Sequence, residues 1–278
     1  MQTFSIVIPT WNNLAYLQNV LRSLELHSRV KHQVIVVVNE GVDGTTEWLD
    51  AEQIPYVHHR ENVGVCVALN SATEHVKHDY LLYLNDDMYV LPGWDTALAE
   101  EINMVGHQRF MLSGTMIEPE FTGNACVQVQ DFGDNLDDFD EAGLLRFHGE
   151  SEVPQNWSGA SWPPLLVPFT LWREVGGMSE EFSPGMYSDP DLSMKFWQAG
   201  VRYFKGVGRA RVYHFGSKST RRLGKNIGRQ TFLNKWGVTP GFFYRRYLKM
   251  GERWCEPQKN FSPSAGRTLI HWCKRTFF

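Results

Sequence analysis

The stretch Tyr80-Leu81-Leu82-Tyr83-Leu84-Asn85-Asp86-Asp87 decides the reading of this chain. Five aromatic and aliphatic residues in a row suit a strand covered on both faces of a sheet. Asn85 follows, and then two adjacent carboxylates at the C-terminal end of the run. Open α/β sheets place their ligand crevice at that end. Adjacent like charges repel, so a positive partner has to share the site. Mg²⁺ or Mn²⁺ fits, because both favour carboxylate oxygens and bridge to substrate phosphates. For the dipeptide alone, a solvated turn after a strand is the competing reading.

The surrounding pattern alternates strands and helices. Phe4 to Ile8 reads as a strand ended by Pro9, and Val34 to Val38 as a second, rich in β-branched residues. Asn12 or Asn13 is positioned to cap a helix whose Leu14, Leu17, Leu21 and Leu24 keep helical spacing. Thr45 or Thr46 opens a helix, Tyr56-Val57 is a short strand, and residues 63–77 read as helical. Pro92 suits the first turn of the helix after Asp87. The alternation predicts an α/β fold, a mostly parallel central sheet flanked by helices.

Residues 118–162 read as irregular, with an acidic run from Asp131 to Glu141 and one helix near 141–147. A strand is expected over Leu165 to Phe169 and a helix over Asp189 to Ala199, ended by Gly200. Two further strands are expected at Val201–Phe204 and Ala210–Phe215. Beyond them the chain is basic, aromatic and expected to be largely helical, with breaks at Gly237, Pro240 and Gly251. The division expected is a catalytic-type domain over 1–220 and a basic extension over 221–278.

The net charge of −4 conceals an asymmetry: residues 201–278 carry +16 and residues 1–200 carry −20. Such opposite fields suit different partners. A basic tail suits phosphates, an anionic membrane face, or the acidic body of its own chain. The composition is that of a soluble globular protein, and no apolar run is long enough to span a bilayer. No basic segment precedes the first apolar run, which argues against a secretory signal. Cys66, Cys126, Cys255 and Cys273 form no C-x-x-C pair. Reduced thiols in a cytoplasmic compartment are expected, with peripheral contact at the inner membrane face through the tail. No zinc spacing or RNA-binding motif is present, so a nucleic-acid partner is not expected.

Four local features fall in a telling order: Ile8-Pro9-Thr10-Trp11-Asn12, Asn85-Asp86-Asp87, Tyr187-Ser188-Asp189-Pro190-Asp191-Leu192, and Val212-Tyr213-His214. With the turn at Gly176-Gly177-Met178, this order resembles the family 2 inverting glycosyltransferases of the GT-A fold, over roughly residues 3–220. The resemblance implies transfer of a sugar from a UDP-, GDP- or dTDP-linked donor to a glycan or lipid-linked acceptor, in polysaccharide or glycan synthesis. It makes Asp87 and His214 the metal ligands, and it puts Asn85 and Asp86 near the ribose and diphosphate.

Asp189 matches the catalytic base, with Asp191 as runner-up. On a helix the two point about 200° apart, so both are not expected to face one sugar. A helix N-terminus favours the ionised carboxylate. Pro9, Thr10, Asn39, Asn62 and Asn70 match nucleotide-binding positions. Asn39 stands just past the place, held here by Val38, where the family often has an acid that reads the base. Lys218 and Arg221, with Arg222 and Lys225, match a loop over the diphosphate. Trp157 and Trp162 are acceptor-stacking candidates, whereas Trp172 and Trp197 read as core. The rival readings are a sugar-1-phosphate nucleotidyltransferase and a non-catalytic nucleotide-sugar-binding module. The first lacks support in Pro9-Thr10-Trp11-Asn12-Asn13, where its family carries a Gly-rich basic loop.

Overall fold

Strand β1 (Ser5–Trp11) and strand β2 (Gln33–Asn39) pair in parallel, Ser5 opposite Gln33 and Trp11 opposite Asn39. Side chains alternate across a strand, and the burial follows that rule. Val7, Ile35 and Val37 enter one apolar cluster, whereas Ile6, Ile8, Val36 and Val38 enter another on the opposite face. This computed structural model describes residues 2–124, 126–216 and 227–261.

Between these strands runs α1 (Leu14–His27), which buries Leu17, Val20 and Leu24. Asn13 stands at its N-cap position but makes no side-chain cap bond; Asp43 instead accepts the Leu14 N–H at 2.8 Å. Helix α2 (Thr45–Ala51) and strand β3 (Tyr56–His59) follow. The helix expected over 63–77 is α3 (Gly64–Ser71) followed by a 3₁₀ turn at Thr73–His75. Strand β4 (Tyr80–Tyr83) is wholly buried, and β5 (Met88–Val90) turns back after Asp87. Helix α4 (Trp94–Val105) begins two residues past Pro92, with Gly93 as its cap, so the proline precedes the helix rather than opening it.

Strand β6 (Phe110–Glu118) is buried along its whole length and was not legible in the sequence. Short β7 (Gln128–Val129), helix α5 (Glu141–Glu150) and short β8 (Trp157–Ser158) cross the acidic middle segment. Strand β9 (Leu165–Pro168) passes directly into α6 (Phe169–Glu174), and α7 (Ser188–Gln198) follows. Instead of two runs at 201–204 and 210–215 there is a single strand, β10 (Tyr203–His214), with its register broken between Val207 and Arg211.

The sheet order is β3-β2-β1-β4-β9-β6-β10-β5. Pairings are parallel from β3 to β4 and between β6 and β10, while β9 and β5 run antiparallel to their neighbours. Helices α1 and α4 cover one face; α3, α6 and α7 cover the other. Helix α8 (Gly228–Trp236), α9 (Pro240–Phe243) and a π-helical turn over Tyr244–Leu248 join that second face. Phe232, Phe242, Phe243 and Leu248 enter the cluster that holds Leu192 and Phe196 of α7. Residues 217–226 and 262–278, parts of the basic C-terminal region, lie outside the described residues.

Candidate active site

The strand ends meet at a cavity of about 450 Å³. One wall is Tyr83 of β4 with Asn85, Asp86 and Asp87 after it; His214 of β10 and Glu118 of β6 stand behind Asp87 and do not themselves line the cavity. Because β5 pairs antiparallel with β10, His214 stands opposite Met88, and the Phe215 N–H donates to the Asp87 carbonyl at 3.1 Å. Asp87 and His214 are therefore brought side by side, Oδ1 to Nε2 at 3.4 Å. On its other edge His214 Nδ1 meets Glu118 Oε1 at 2.7 Å, from the end of β6. Burial alone would lower the His214 pKa; the charge of Asp87 and hydrogen bonds to both carboxylates outweigh it and push the imidazole up to about 10. Asn85, Asp86 and Asp87 line the cavity.

Once a cation displaces the Nε2 proton of His214, this site offers two donors that suit a hard or borderline metal: a carboxylate oxygen and an imidazole nitrogen whose partner nitrogen is held by a second carboxylate. Among the described residues no cluster of three or more potential ligands is present. Glu118 carries no local sequence signal, because Ser113, Gly114 and Thr115 interrupt the apolar pattern of the strand that delivers it.

The floor comes from the ends of β1 and β2 and the start of α3. Asn12 stitches those strand ends together: its Nδ2 donates to Glu40 Oε2 at 2.7 Å, and its Oδ1 accepts the Gly41 and Val42 N–H groups at 3.0 Å each. Pro9, Thr10, Asn39 and Asn62 line the cavity. Asn39 Oδ1 accepts the Val63 N–H at 3.2 Å, and Asn62 Oδ1 accepts that of Gly64 at 2.9 Å. The Thr10 hydroxyl is buried with no hydrogen-bond partner among the described residues. Asn70 lies away from the cavity, where its amide accepts from the Met178 N–H and donates to the Met178 C=O, each at 2.9 Å. It braces the Gly176-Gly177-Met178 turn.

The opposite wall is the 184–190 turn, with Pro163 and Tyr244. Gly64 has φ +79°, and a Cβ there would come within 2.7 Å of the Pro184 Cα, so only glycine lets this turn close on α3. Tyr187 takes φ +67°, uncommon for a non-glycine residue, and so aims the first turn of α7 at the cavity. Asp189 is the second residue of that helix and lines the cavity. Loss of solvent raises its carboxyl to about 7, so burial outweighs the ionising influence expected of the helix N-terminus. Cys66, Tyr83 and Tyr244 lie within its field; burial pushes the Cys66 thiol up to about 12 and both phenols upward as well.

Asp191 points elsewhere. It is fully buried and accepts from Trp236 Nε1 at 2.7 Å and from Lys235 Nζ at 3.0 Å. Trp157 is buried, donates to Thr115 Oγ1 at 3.0 Å and stacks on Trp162; neither lines the cavity, whose aromatic lining is Trp11, Tyr83, Tyr187 and Tyr244. Trp172 and Trp197 pack in the core. Lys218 and Arg221 lie outside the described residues.

The model of glycosyl transferase family 2 matches residues 5–122, the segment from β1 to just past β6. An uncharacterized glycosyltransferase of Rickettsia prowazekii (strain Madrid E) is 25% identical over 208 residues, 72% of this chain and 60% of the relative. The chain thus spans about 60% of the length of that curated relative. Among solved structures, S. aureus TarS 1–349 with UDP-GlcNAc superposes with a TM-score of 0.60 at 13% identity, over 98% of this chain and 71% of that one. GalNAc-T7 with UDP, GalNAc and Mn²⁺ gives 0.59 at 13% identity, over 87% of this chain and 52% of that one. At such identities the solved structures speak for the fold alone. The segment from β1 to just past β6 is thus similar to glycosyl transferase family 2, and the fold around it is similar to that of the GT-A glycosyltransferases.

Proposed function

We propose that this chain is an inverting glycosyltransferase that takes a nucleotide sugar as donor and uses Asp189 as its base. The observation that carries the reading is the arrangement of one cavity: Asp87 backed by His214 on the strand-end wall, Asp189 on the helix-end wall. An inverting transfer is a single in-line displacement at the anomeric carbon. The bond from that carbon to the diphosphate oxygen breaks as the bond to the acceptor oxygen forms on the opposite face. Asp189 takes the proton of the attacking hydroxyl, which requires the carboxylate to be ionised when the acceptor binds.

Asp87 and His214 Nε2 would hold a divalent cation, Mg²⁺ or Mn²⁺, which supplies positive charge to the leaving diphosphate when bound. Pro9, Thr10, Asn39 and Asn62 shape the floor for the nucleoside. Asn85 and Asp86 face the ribose and diphosphate, and Lys218 and Arg221 are assigned to the same phosphates. TarS has been solved with UDP and UDP-GlcNAc, and GalNAc-T7 with UDP and Mn²⁺. UDP-linked sugars are therefore the first donors to test, ahead of GDP- and dTDP-linked ones. The acceptor is assigned to a glycan or lipid-linked saccharide, and the basic tail to contact with an anionic membrane surface.

The test is thermal denaturation against a panel of UDP-, GDP- and dTDP-sugars, with Mn²⁺, with Mg²⁺ and with chelator. A true donor at 100 times its Kd stabilises the fold by about 2.7 kcal/mol. The midpoint should rise by several degrees for one nucleotide class, and only with metal. A flat response to the whole panel in both metals contradicts the assignment.

A further inference from the structure

Asp191 presents a problem that the proposed chemistry does not solve. A fully buried carboxylate is costly unless paired, and this one neither lines the cavity nor touches any of the proposed ligands. Its Oδ1 accepts twice, from Trp236 and from Lys235. Its Oδ2 is buried without a partner among the described residues. Lys235 reaches further, to Ser179 Oγ at 2.8 Å and Glu181 Oε1 at 2.8 Å, and its ammonium lies over the ring of Phe182. Two consecutive residues at the C-terminal end of α8 thus grip both the start of α7 and the turn that leads into it.

The gripped helix start is poorly held by its own backbone. Tyr187 occupies the N-cap position in a left-handed conformation and offers no side-chain acceptor. The first bond of the helix, from the Asp191 N–H to the Tyr187 carbonyl, is long at 3.4 Å. Uncapped helix starts fray, yet this one carries Asp189.

We propose that Lys235 and Trp236 are positioning residues for Asp189, acting through Asp191 as the anchor of the first turn of α7. The inference rests on the reading of Asp189 as the base. Asp191 is then the point at which the C-terminal segment fixes the base in register with the strand-end wall. Removing one partner leaves the other charge buried and uncompensated and lowers stability, so the rates of the variants are compared well below each melting midpoint. Misplacing a reacting group by about 1 Å lowers rates on the order of 100-fold.

The experiment compares Lys235→Met, Trp236→Phe, Asp191→Asn and Asp189→Asn with the full-length wild type. The substrate is the nucleotide sugar giving the largest thermal shift in the panel, with water as acceptor and well below every melting midpoint. The clamp predicts that kcat falls on the order of 10- to 100-fold in Lys235→Met and by less in Trp236→Phe. KM for the donor stays near wild type, and Lys235→Arg restores most of kcat. Wild-type kcat in Lys235→Met and Trp236→Phe, with Asp189→Asn inactive, overturns the clamp and leaves the base assignment standing. A raised donor KM at unchanged kcat also overturns it. Full activity in Asp189→Asn overturns the base assignment itself, and the clamp with it. If Lys235→Met does not fold, Trp236→Phe reads the same quantity, since it deletes only the N–H donor and keeps the apolar ring.

Discussion

The two walls of the cavity are built differently. The strand-end wall presents Asp87 after β4, and the sheet ladder places behind it His214 at the end of β10 and Glu118 at the end of β6. Backbone pairing on either side leaves these side chains little freedom. The helix-end wall is a turn with left-handed residues at Gly185 and Tyr187, followed by a helix start without a side-chain cap. Its order comes from side chains contributed by α3 and α8. A rigid wall suits the binding of donor and metal, and a wall held at a distance suits placement of a proton acceptor.

The comparison fails most visibly if the helix-end wall is not where the chemistry occurs. Asp189→Asn should lower kcat by about 10²–10⁴ while leaving donor affinity near wild type by calorimetry. Loss of donor affinity instead would make both walls binding surfaces. Next in size is the strand-end wall. Asp87→Asn should weaken Mn²⁺-dependent donor binding, and Glu118→Gln should cost about 10- to 100-fold in metal affinity, read by titrating Mn²⁺ into the protein with UDP present. An unchanged titration in Glu118→Gln would show that His214 needs no orienting partner.

Gly64→Ala probes the seam between the walls. Its positive φ and its approach to Pro184 predict a loss of about 1–3 kcal/mol in denaturant melts, with a larger change in kcat than in donor KM. The smallest effect is on pH dependence. With its carboxyl raised to about 7, Asp189 is protonated below that pH and cannot accept a proton. Donor turnover should therefore fall as pH drops through 7, by about tenfold at pH 6 relative to the plateau. A limb near pH 4 would mean that the carboxylate is better solvated than the closed cavity suggests.

The parallel half of the fold is legible because residues 6–8, 34–38 and 80–84 are unbroken apolar runs, which strands covered on both faces of a sheet require. Strand β6 escaped notice because Ser113, Gly114 and Thr115 interrupt its apolar pattern. The reason is tertiary: a Cβ at Gly114 would come within 2.7 Å of the Pro164 ring. Strand β10 looked like two pieces for a similar reason, since Gly206 lies under the indole of Trp157 and leaves no room for a side chain. Glu118 was lost along with β6. The Asn70 amide pairs with the Met178 backbone 108 residues on, a long-range use that nothing in its Asn-x-Gly neighbourhood signals.

By itself the sequence determined the strand that delivers Asp86 and Asp87, the helix that opens at Asp189, and the half-turn of rotation that separates Asp189 from Asp191. These follow from local periodicity, which each segment carries alone. Only the tertiary structure decided that Glu118 backs His214, that burial raises Asp189, and that Asp191 belongs to Lys235 and Trp236. Each of those depends on solvent exclusion and charge pairing between segments 40 to 100 residues apart in the chain, which no local pattern encodes.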